Sequence, residues 1–363
     1  MPVSKHYDLS FQIAKKWERS VSNLREYQVI RDGNIFRTSL SESYIFHGEY
    51  ERAQQLKDEL LKKYEGMTVN AALQGKEVET PIGDSYLIQS SSCIDPPDTG
   101  CSNVDFRFLS DLKLIKGIGA ITEKSLKGKG YTTIRDLFHH PKYRNYAAQF
   151  LSCLDSRDVY RIAEWISGRY PKSHSRVLET SWLIESENFV FFDIETLGIF
   201  SRPIILFGIG YMSRGKVHIM QYILRDVREE PAALVSALDH FEGDEKAIIT
   251  FNGKSFDIPY LHERAAYYGM PLKLDKPHYD LLHFSRRKWR GVFSNYRLSS
   301  LEKGLFGIKR SNDIPSQLVP DFYETYLRTG NPGPLVPIVE HNRQDVVSLV
   351  HLYYHLINER TCP

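Results

Sequence analysis

Asn188 to Thr196 reads NFVFFDIET, a run of aromatic and β-branched residues between polar segments that predicts a buried strand. Residues two apart on a strand share a face, so Asp193 and Glu195 project side by side. Isolated carboxylates in so apolar a segment carry a desolvation cost of several kcal/mol. Like charges this close also repel unless one is protonated or a cation binds both, and the strand holds no Arg or Lys. A divalent ion is the simpler answer, although two solvent-facing residues at a strand end fit the run alone.

Two further carboxylates lie downstream. AIITFNGKSFDIPYLHERAAYYG (247–269) predicts a short apolar strand, an Asn-Gly turn and a helix with Ile258, Leu261, Ala265 and Tyr268 on one face. Asp257 begins that helix, a place where an acid also serves simply as a cap or N-terminal charge. VEHNRQDVVSLVHLYYHL (339–356) has helical apolar spacing, and His341 and Asp345, four apart, share a face. That spacing also suits an ordinary surface pair.

The blocks FDIET, FNGKSFDIPYL and HNRQDV, in that order over residues 188–358, resemble the three motifs of the DEDD superfamily of 3′ to 5′ exonucleases with an RNase H-like fold. The intervening HYDLLHFSRRKW and YRLSSLEKGLFGIKRSNDIPS resemble YprB-like RNase H-like nucleases, close to the proofreading domains of family B DNA polymerases. The resemblance implies that Asp193, Glu195, Asp257 and Asp345 are metal ligands for two Mg²⁺ or Mn²⁺ ions, roughly 3.5 to 4 Å apart, in a two-metal hydrolysis of phosphodiester bonds. Oxygen-only ligands suit these hard ions. One position departs from the pattern. The tyrosine subgroup has YxxxD and the histidine subgroup HxxxxD, whereas HNRQD puts His341 at the tyrosine's place. An unperturbed imidazole, with a pKa of about 6.5, is the more capable base, so His341 is expected to orient or deprotonate the attacking water.

Strands expected at 188–195, 203–212, 216–224 and 246–251, with helices near 229–242 and 257–269 and several more to 358, fit the fold the resemblance implies. That fold is α/β, a mixed five-stranded RNase H-like sheet flanked by helices. Asn252 and Lys254 in the turn are candidates to contact the nucleic-acid strand, although Asn-Gly is common as a tight turn. Arg286, Arg287, Lys288 and Arg290 around Trp289 form a basic cluster suited to phosphates and a stacked base, or simply a solvated face. Asp280, in YDLL, reads as a supporting carboxylate.

DLKLIKGIGAITEKSLKGKGYTTIRDLFHH (111–140) resembles a helix-hairpin-helix motif, in which the GIG turn, Gly117 to Gly119, offers backbone N–H groups to a phosphate. Leu112, Ile115, Ile118, Ile121 and Leu126 supply its apolar positions, and Tyr131, Ile134 and Leu137 are expected to begin another helix. Residues 111–145 hold eight Lys or Arg, Lys124 among them, against three acids, a local charge of +5 within a chain whose net charge is only +2. A simple turn with solvating lysines is the plainer alternative.

Residues 49–66 predict an amphipathic helix with Ala53, Leu56, Leu60 and Leu61 inward, and 77–89 a hairpin around Pro-Ile-Gly. The 363 residues, 42% hydrophobic and 25% charged, suit a globular protein of two or three domains. The divisions expected are an N-terminal α+β region (1–108), a helix-hairpin-helix nucleic-acid-binding region (109–172) and an RNase H-like exonuclease domain (180–360), with KSHSR (172–176) as linker. Cys93, Cys101, Cys153 and Cys362 show no CxxC spacing, and neither a signal-peptide core nor an 18-residue apolar run is present, so a cytoplasmic protein with no membrane partner is expected. These features together predict a metal-dependent nuclease acting on DNA or RNA, most directly a 3′ to 5′ exonuclease. The alternatives are an endonuclease on structured nucleic acid and a catalytically weak nucleic-acid-binding module.

Overall fold

Alternation along Phe189–Thr196 sets the layers of the molecule, because this strand is buried on both faces. Phe189 and Phe191 point into one apolar cluster, while Val190, Phe192 and Ile194 point into another on the opposite side of the sheet. Asp193 and Glu195 continue the first series. The computed structural model describes residues 47–94, 104–198, 201–310 and 313–358. Cys101, Cys362, the end of the loop expected after Cys93 and the N-terminal stretch searched for a signal peptide lie outside the described residues.

The strands are β1 (Lys76–Thr80), β2 (Gly83–Cys93), β3 (Phe189–Thr196), β4 (Ile204–Ser213), β5 (Lys216–Ile223), β6 (Ala247–Thr250) and β7 (His278–Asp280), in the sheet order β1-β2-β5-β4-β3-β6-β7. The main helices are α1 (His47–Lys63), α2 (Ala120–Gly128), α3 (Arg144–Asp155), α4 (Val159–Ser167), α5 (Glu230–Leu238), α6 (Asp257–Tyr267), α7 (Leu281–Lys288), α8 (Val319–Thr329) and α9 (Leu335–Asn358). β3, β4 and β5 form an antiparallel meander, and β6 and β7 continue from β3 in parallel. This mixed α/β architecture is the expected one, but among the described residues the sheet has seven strands and not five. The hairpin β1–β2 pairs antiparallel with β5, Tyr86 opposite Ile223 through Cys93 opposite Lys216, and the three-residue β7 extends the other edge.

Helix α9 lies close against the sheet because β4 carries glycine beneath it. A Cβ at Gly208 would come within 2.1 Å of the Asn342 amide oxygen, and one at Gly210 within 2.5 Å of the Val346 Cγ1. Two residues along a strand advance about 6.8 Å and four along a helix about 6 Å, so the two glycines match two successive turns of α9. On the other face, buried Arg264 of α6 binds Glu230 of α5 through Nε at 2.8 Å and Nη2 at 2.6 Å, and Glu230 also accepts from Ile204 N–H of β4. This pairing ties the helix bearing Asp257 to the sheet.

Residues 104–170 pack a smaller core of their own, including Phe108, Leu112, Ile115, Ile134, Phe150 and Ile162. Two expectations fail there. Ile121 is 88% exposed and joins no core, and after Tyr131 the chain makes only a short turn of helix at Asp136–His139 before α3. Asp136 explains the second: its carboxylate accepts from the backbone N–H groups of Thr132 and Thr133, which closes a turn in place of a helix.

Candidate active site

The ladder between β3 and β6 ends at Phe191 opposite Ile249, which leaves the far end of β3 without a strand on that side among the described residues. Asp257, at the first turn of α6, fills the gap: its Oδ1 accepts from the Ile194 backbone N–H at 3.2 Å. Asp257 thus reaches β3 from the end of the loop that follows β6. From the helix side, Asn342 of α9 enters the space above Gly208, the residue paired with Asp193, and donates from Nδ2 to Asp193 Oδ2 at 2.8 Å. Gln221 of β5 fixes that amide by donating to Asn342 Oδ1 at 2.9 Å.

Three acidic segments therefore converge on the end of β3. Ligand atoms of Glu195, His341 and Asp345 lie within 4.8 Å of one another, and Asp193 and Asp257 are close enough to act on this group electrostatically. Burial, and then the charges of Asp345, Asp257 and Glu195, hold the Asp193 carboxyl well above the usual range. Burial is also the main cause for Glu195, raised to about 8, and Asp257, raised to about 7. Carboxyls whose ionised forms are disfavoured by desolvation and mutual repulsion are a donor set that lacks positive charge. Their oxygens, with one imidazole nitrogen beside them, fit Mg²⁺ or Mn²⁺.

His341 has more company than its spacing disclosed. Its Nδ1 lies 2.6 Å from Asp313 Oδ1, and its Nε2 lies 3.7 Å from Glu195, 3.6 Å from Asp345 and 3.2 Å from Ser316 Oγ. Burial disfavours the imidazolium, but Asp345, the hydrogen bond to Asp313 and Glu195 outweigh it and raise the pKa to about 9. The expectation of a ready base assumed an ordinary imidazole. These neighbours favour the imidazolium, which makes His341 a weaker proton acceptor than an ordinary imidazole.

Sequence inspection missed four residues of this centre. Asn342 was one, hidden within the HNRQD block itself. Arg310 was another: it binds Asp345, lies 2.5 Å from Glu302 Oε1 and 3.4 Å from Asp313 Oδ2, and so sets one cation among the acids. Asp313 and Glu302 are the others, Glu302 being buried in a turn of π-helix, Glu302–Phe306. The available signal was the charge pattern of IKRSND beside an acidic cluster.

Asp280 is almost wholly buried, and its carboxylate accepts from the backbone N–H groups of Asn252 at 2.8 Å, Lys254 at 3.1 Å and Leu282 at 3.2 Å. It caps α7 and shapes the loop that delivers Asp257, where Asn252 holds a left-handed φ of 67°. Asp280→Ala leaves these donors unpaired, at roughly 1 kcal/mol or more each. A loss of about 2–4 kcal/mol in urea unfolding is expected, and a loss below 1 kcal/mol would show that the loop holds its shape without the carboxylate.

The remaining candidates are dispersed. Asn252 and Arg286 line a cleft of about 950 Å³ that also includes His341 and Asp345. The Lys254 side chain is exposed outside that lining, and Arg287 and Arg290 border a second hollow with Ser173, which shares Arg286 with the cleft. Trp289 does not present a face to a base: it is only 8% exposed, stacked on His355 at 5.6 Å, while Lys288 Nζ donates to the His355 and Leu356 carbonyls. Packing against the end of α9 outcompeted exposure. Gly117, with φ 89°, and Gly119 turn the chain into α2, whose N-terminus has no side-chain cap, and Lys124 is exposed on that helix.

Residues 190–357 match the family model of the RNase H superfamily. The uncharacterized protein YprB of Bacillus subtilis (strain 168) is 33% identical over 174 residues, 47% of this chain and 42% of its own length. A DNA polymerase of Methanocaldococcus jannaschii is 22% identical over 278 residues, 64% of this chain and 16% of the polymerase. The chain spans less than half the length of either relative. No helix among the described residues is long and apolar enough to cross a membrane.

Proposed function

With residues 190–357 an RNase H-like nuclease domain, we propose that the chain is a metal-dependent 3′ to 5′ exonuclease that removes nucleotides from a DNA strand. The observation that carries this is the meeting of Asp193, Glu195, Asp257 and Asp345 at one end of β3, with the carboxyls of the first three raised by burial and mutual charge. These four would hold two Mg²⁺ or Mn²⁺ ions. Bound there, the ions supply the charge that makes water a nucleophile at neutral pH and stabilises the phosphoryl oxygens. The protein's own groups do the rest. Asn342 fixes the rotamer of Asp193, Asp313 anchors His341 through Nδ1, and His341 holds and exchanges a proton at Nε2 beside Glu195 and Asp345. Arg310 neutralises part of the acidic cluster where a phosphate would approach. Polarity follows from the motif resemblance, and the similarity to a DNA polymerase favours DNA over RNA. Free Cys93 and Cys153 suit a reducing, cytoplasmic setting.

End-labelled single-stranded DNA and RNA, incubated with Mn²⁺ or Mg²⁺, test the proposal. A 5′-labelled DNA should shorten in single-nucleotide steps, while a covalently closed circle stays intact. Cutting of the circle would make the enzyme an endonuclease. No shortening in any metal, or shortening that survives EDTA, would defeat the proposal.

The site also predicts how metal and pH act together. Glu195 and Asp257 titrate at about 8 and about 7 in the folded protein, against about 4.3 and 3.9 in an unfolded chain. The folded state therefore binds more protons, so this contribution is full at low pH and is lost as pH rises through 7 and 8. His341, raised to about 9, adds a loss in the same direction over a higher range. Saturating Mn²⁺ should raise the melting temperature more at pH 8.5 than at pH 6. Equal shifts at the two pH values would show that the cluster does not retain its protons.

A further inference from the structure

Helix α1 lies outside the residues that match the RNase H superfamily, yet it forms a wall of the cleft that opens on Asp345 and His341. Arg52, Gln55, Leu56 and Glu59 line that wall, at spacings of three, four and seven from the first, which makes one continuous stripe on a helix. A second stripe, Ala53, Lys57 and Leu60, is buried against the RNase H-like domain. Lys57 Nζ binds Asp321 Oδ2 at 2.7 Å, Gln54 donates to the same carboxylate, and Asn331 Nδ2 donates to the Leu61 carbonyl at 2.7 Å. Gly333 permits this docking, because a Cβ there would come within 2.5 Å of the Leu60 carbonyl oxygen. The helix is thus held with one face to the core and the adjoining face to the cleft.

The charges around that cleft are uneven. Arg52, Arg286, Arg297, Lys303 and Lys309 all line it with exposed side chains. Among the described residues none of these five has a carboxylate within ion-pair distance, whereas Arg310 on the same lining is bound by three. Unpaired cations held apart in a groove, with acids at the reaction centre, match a polyanion that passes over them and ends at the acids. Phe251 and Tyr296 add ring surface to the same lining. A volume of about 950 Å³ is enough for a few nucleotides of one strand.

We propose that α1 and the segment Arg297–Lys309 form a single-strand channel leading to the carboxylates, in which Arg52, Arg297, Lys303 and Lys309 grip backbone phosphates. This rests on the nuclease function proposed above. It assigns to α1 a substrate-positioning role and not only a packing one.

The test is binding of a fluorescein-labelled single-stranded DNA of about 12 nucleotides to the full chain in EDTA, followed by anisotropy over a range of salt. Arg52→Glu and Lys309→Glu should each weaken binding at least tenfold and reduce the salt slope by about one or more. Lys216→Glu, the same charge change on β5 away from the cleft, should leave binding within twofold. Arg52→Gln, which adds no negative charge, should give an intermediate loss, and unchanged thermal melts would assign it to lost contact and not to unfolding. Under turnover with Mn²⁺, Arg52→Glu should raise KM more than it lowers kcat. Binding by both Glu variants within twofold of the parent, at unchanged slope, would overturn the channel. If the parent still shortened labelled DNA in Mn²⁺, the nuclease function would stand without it; a parent that neither binds nor cuts would sink both.

Discussion

Asp193→Asn should abolish metal-dependent cleavage, by a factor of at least about 10³, and at the same time raise the melting temperature of the metal-free protein. On the proposed function, the first effect follows from removing one of the carboxylates that would hold the metal ions. A thousandfold loss corresponds to about 4 kcal/mol of transition-state stabilisation, within the range that metal sites supply. The second follows from the cost the native carboxyl imposes. Burial, and then the charges of Asp345, Asp257 and Glu195, disfavour the ionised form of Asp193 and hold its carboxyl well above the usual range, a cost that a neutral amide of the same shape does not carry. The new amide oxygen can still accept from Asn342 Nδ2. Initial rates with Mn²⁺ and thermal melts in EDTA measure both quantities on the same sample. A variant that loses activity and stability together would mark Asp193 as structural.

The second large effect comes from the opposite side of the strand ladder. Gly208→Ala places a methyl group where the Asn342 amide lies, 2.1 Å from its Oδ1 and 2.6 Å from its Nδ2. That amide is buried between Gln221 and Asp193 and cannot swing aside without breaking both hydrogen bonds. Overpacking of this kind costs about 1–3 kcal/mol, and the lost hydrogen bonds about 1 kcal/mol each. A total of about 3–5 kcal/mol is expected in denaturant unfolding. Cleavage should fall at least tenfold, because Asp193 loses the contact that orients it. Combining Gly208→Ala with Asn342→Ala removes the clash, so the double variant should be more stable than Gly208→Ala alone. Strict additivity of the two would place the damage elsewhere.

What could be read without coordinates was what local periodicity carries. The two-residue spacing of Asp193 and Glu195 and the four-residue spacing of His341 and Asp345 correspond to shared faces in the structure, and the strands of the meander lie within a residue or two of their expected places. The hairpin at 76–93 was legible as a hairpin, but its membership of the main sheet depends on pairing with β5, which no local pattern expresses. The three-residue β7 is too short to show alternation at all. Asn342, Arg310, Asp313 and Glu302 escaped for a related reason: each acts through partners set by tertiary contact. Trp289 and Ile121 mark the converse failure, where composition was read as exposure or burial and packing decided otherwise.

The place of the hairpin in the sheet bears on how this chain reaches its fold. Joining Cys93 to Lys216 closes a loop of more than a hundred residues, and the whole helical unit of residues 104–170 lies inside that loop. Closure over such a span is entropically late and slow, so β5 waits as an edge while the meander and the helical unit, both built from nearer contacts, can already form. An exposed edge is a template for pairing with another chain. A polypeptide trimmed to the RNase H-like match alone would keep that edge permanently, and association through β5 is the failure it would show. The hairpin thereby serves as an intramolecular guard on the sheet as well as its extension.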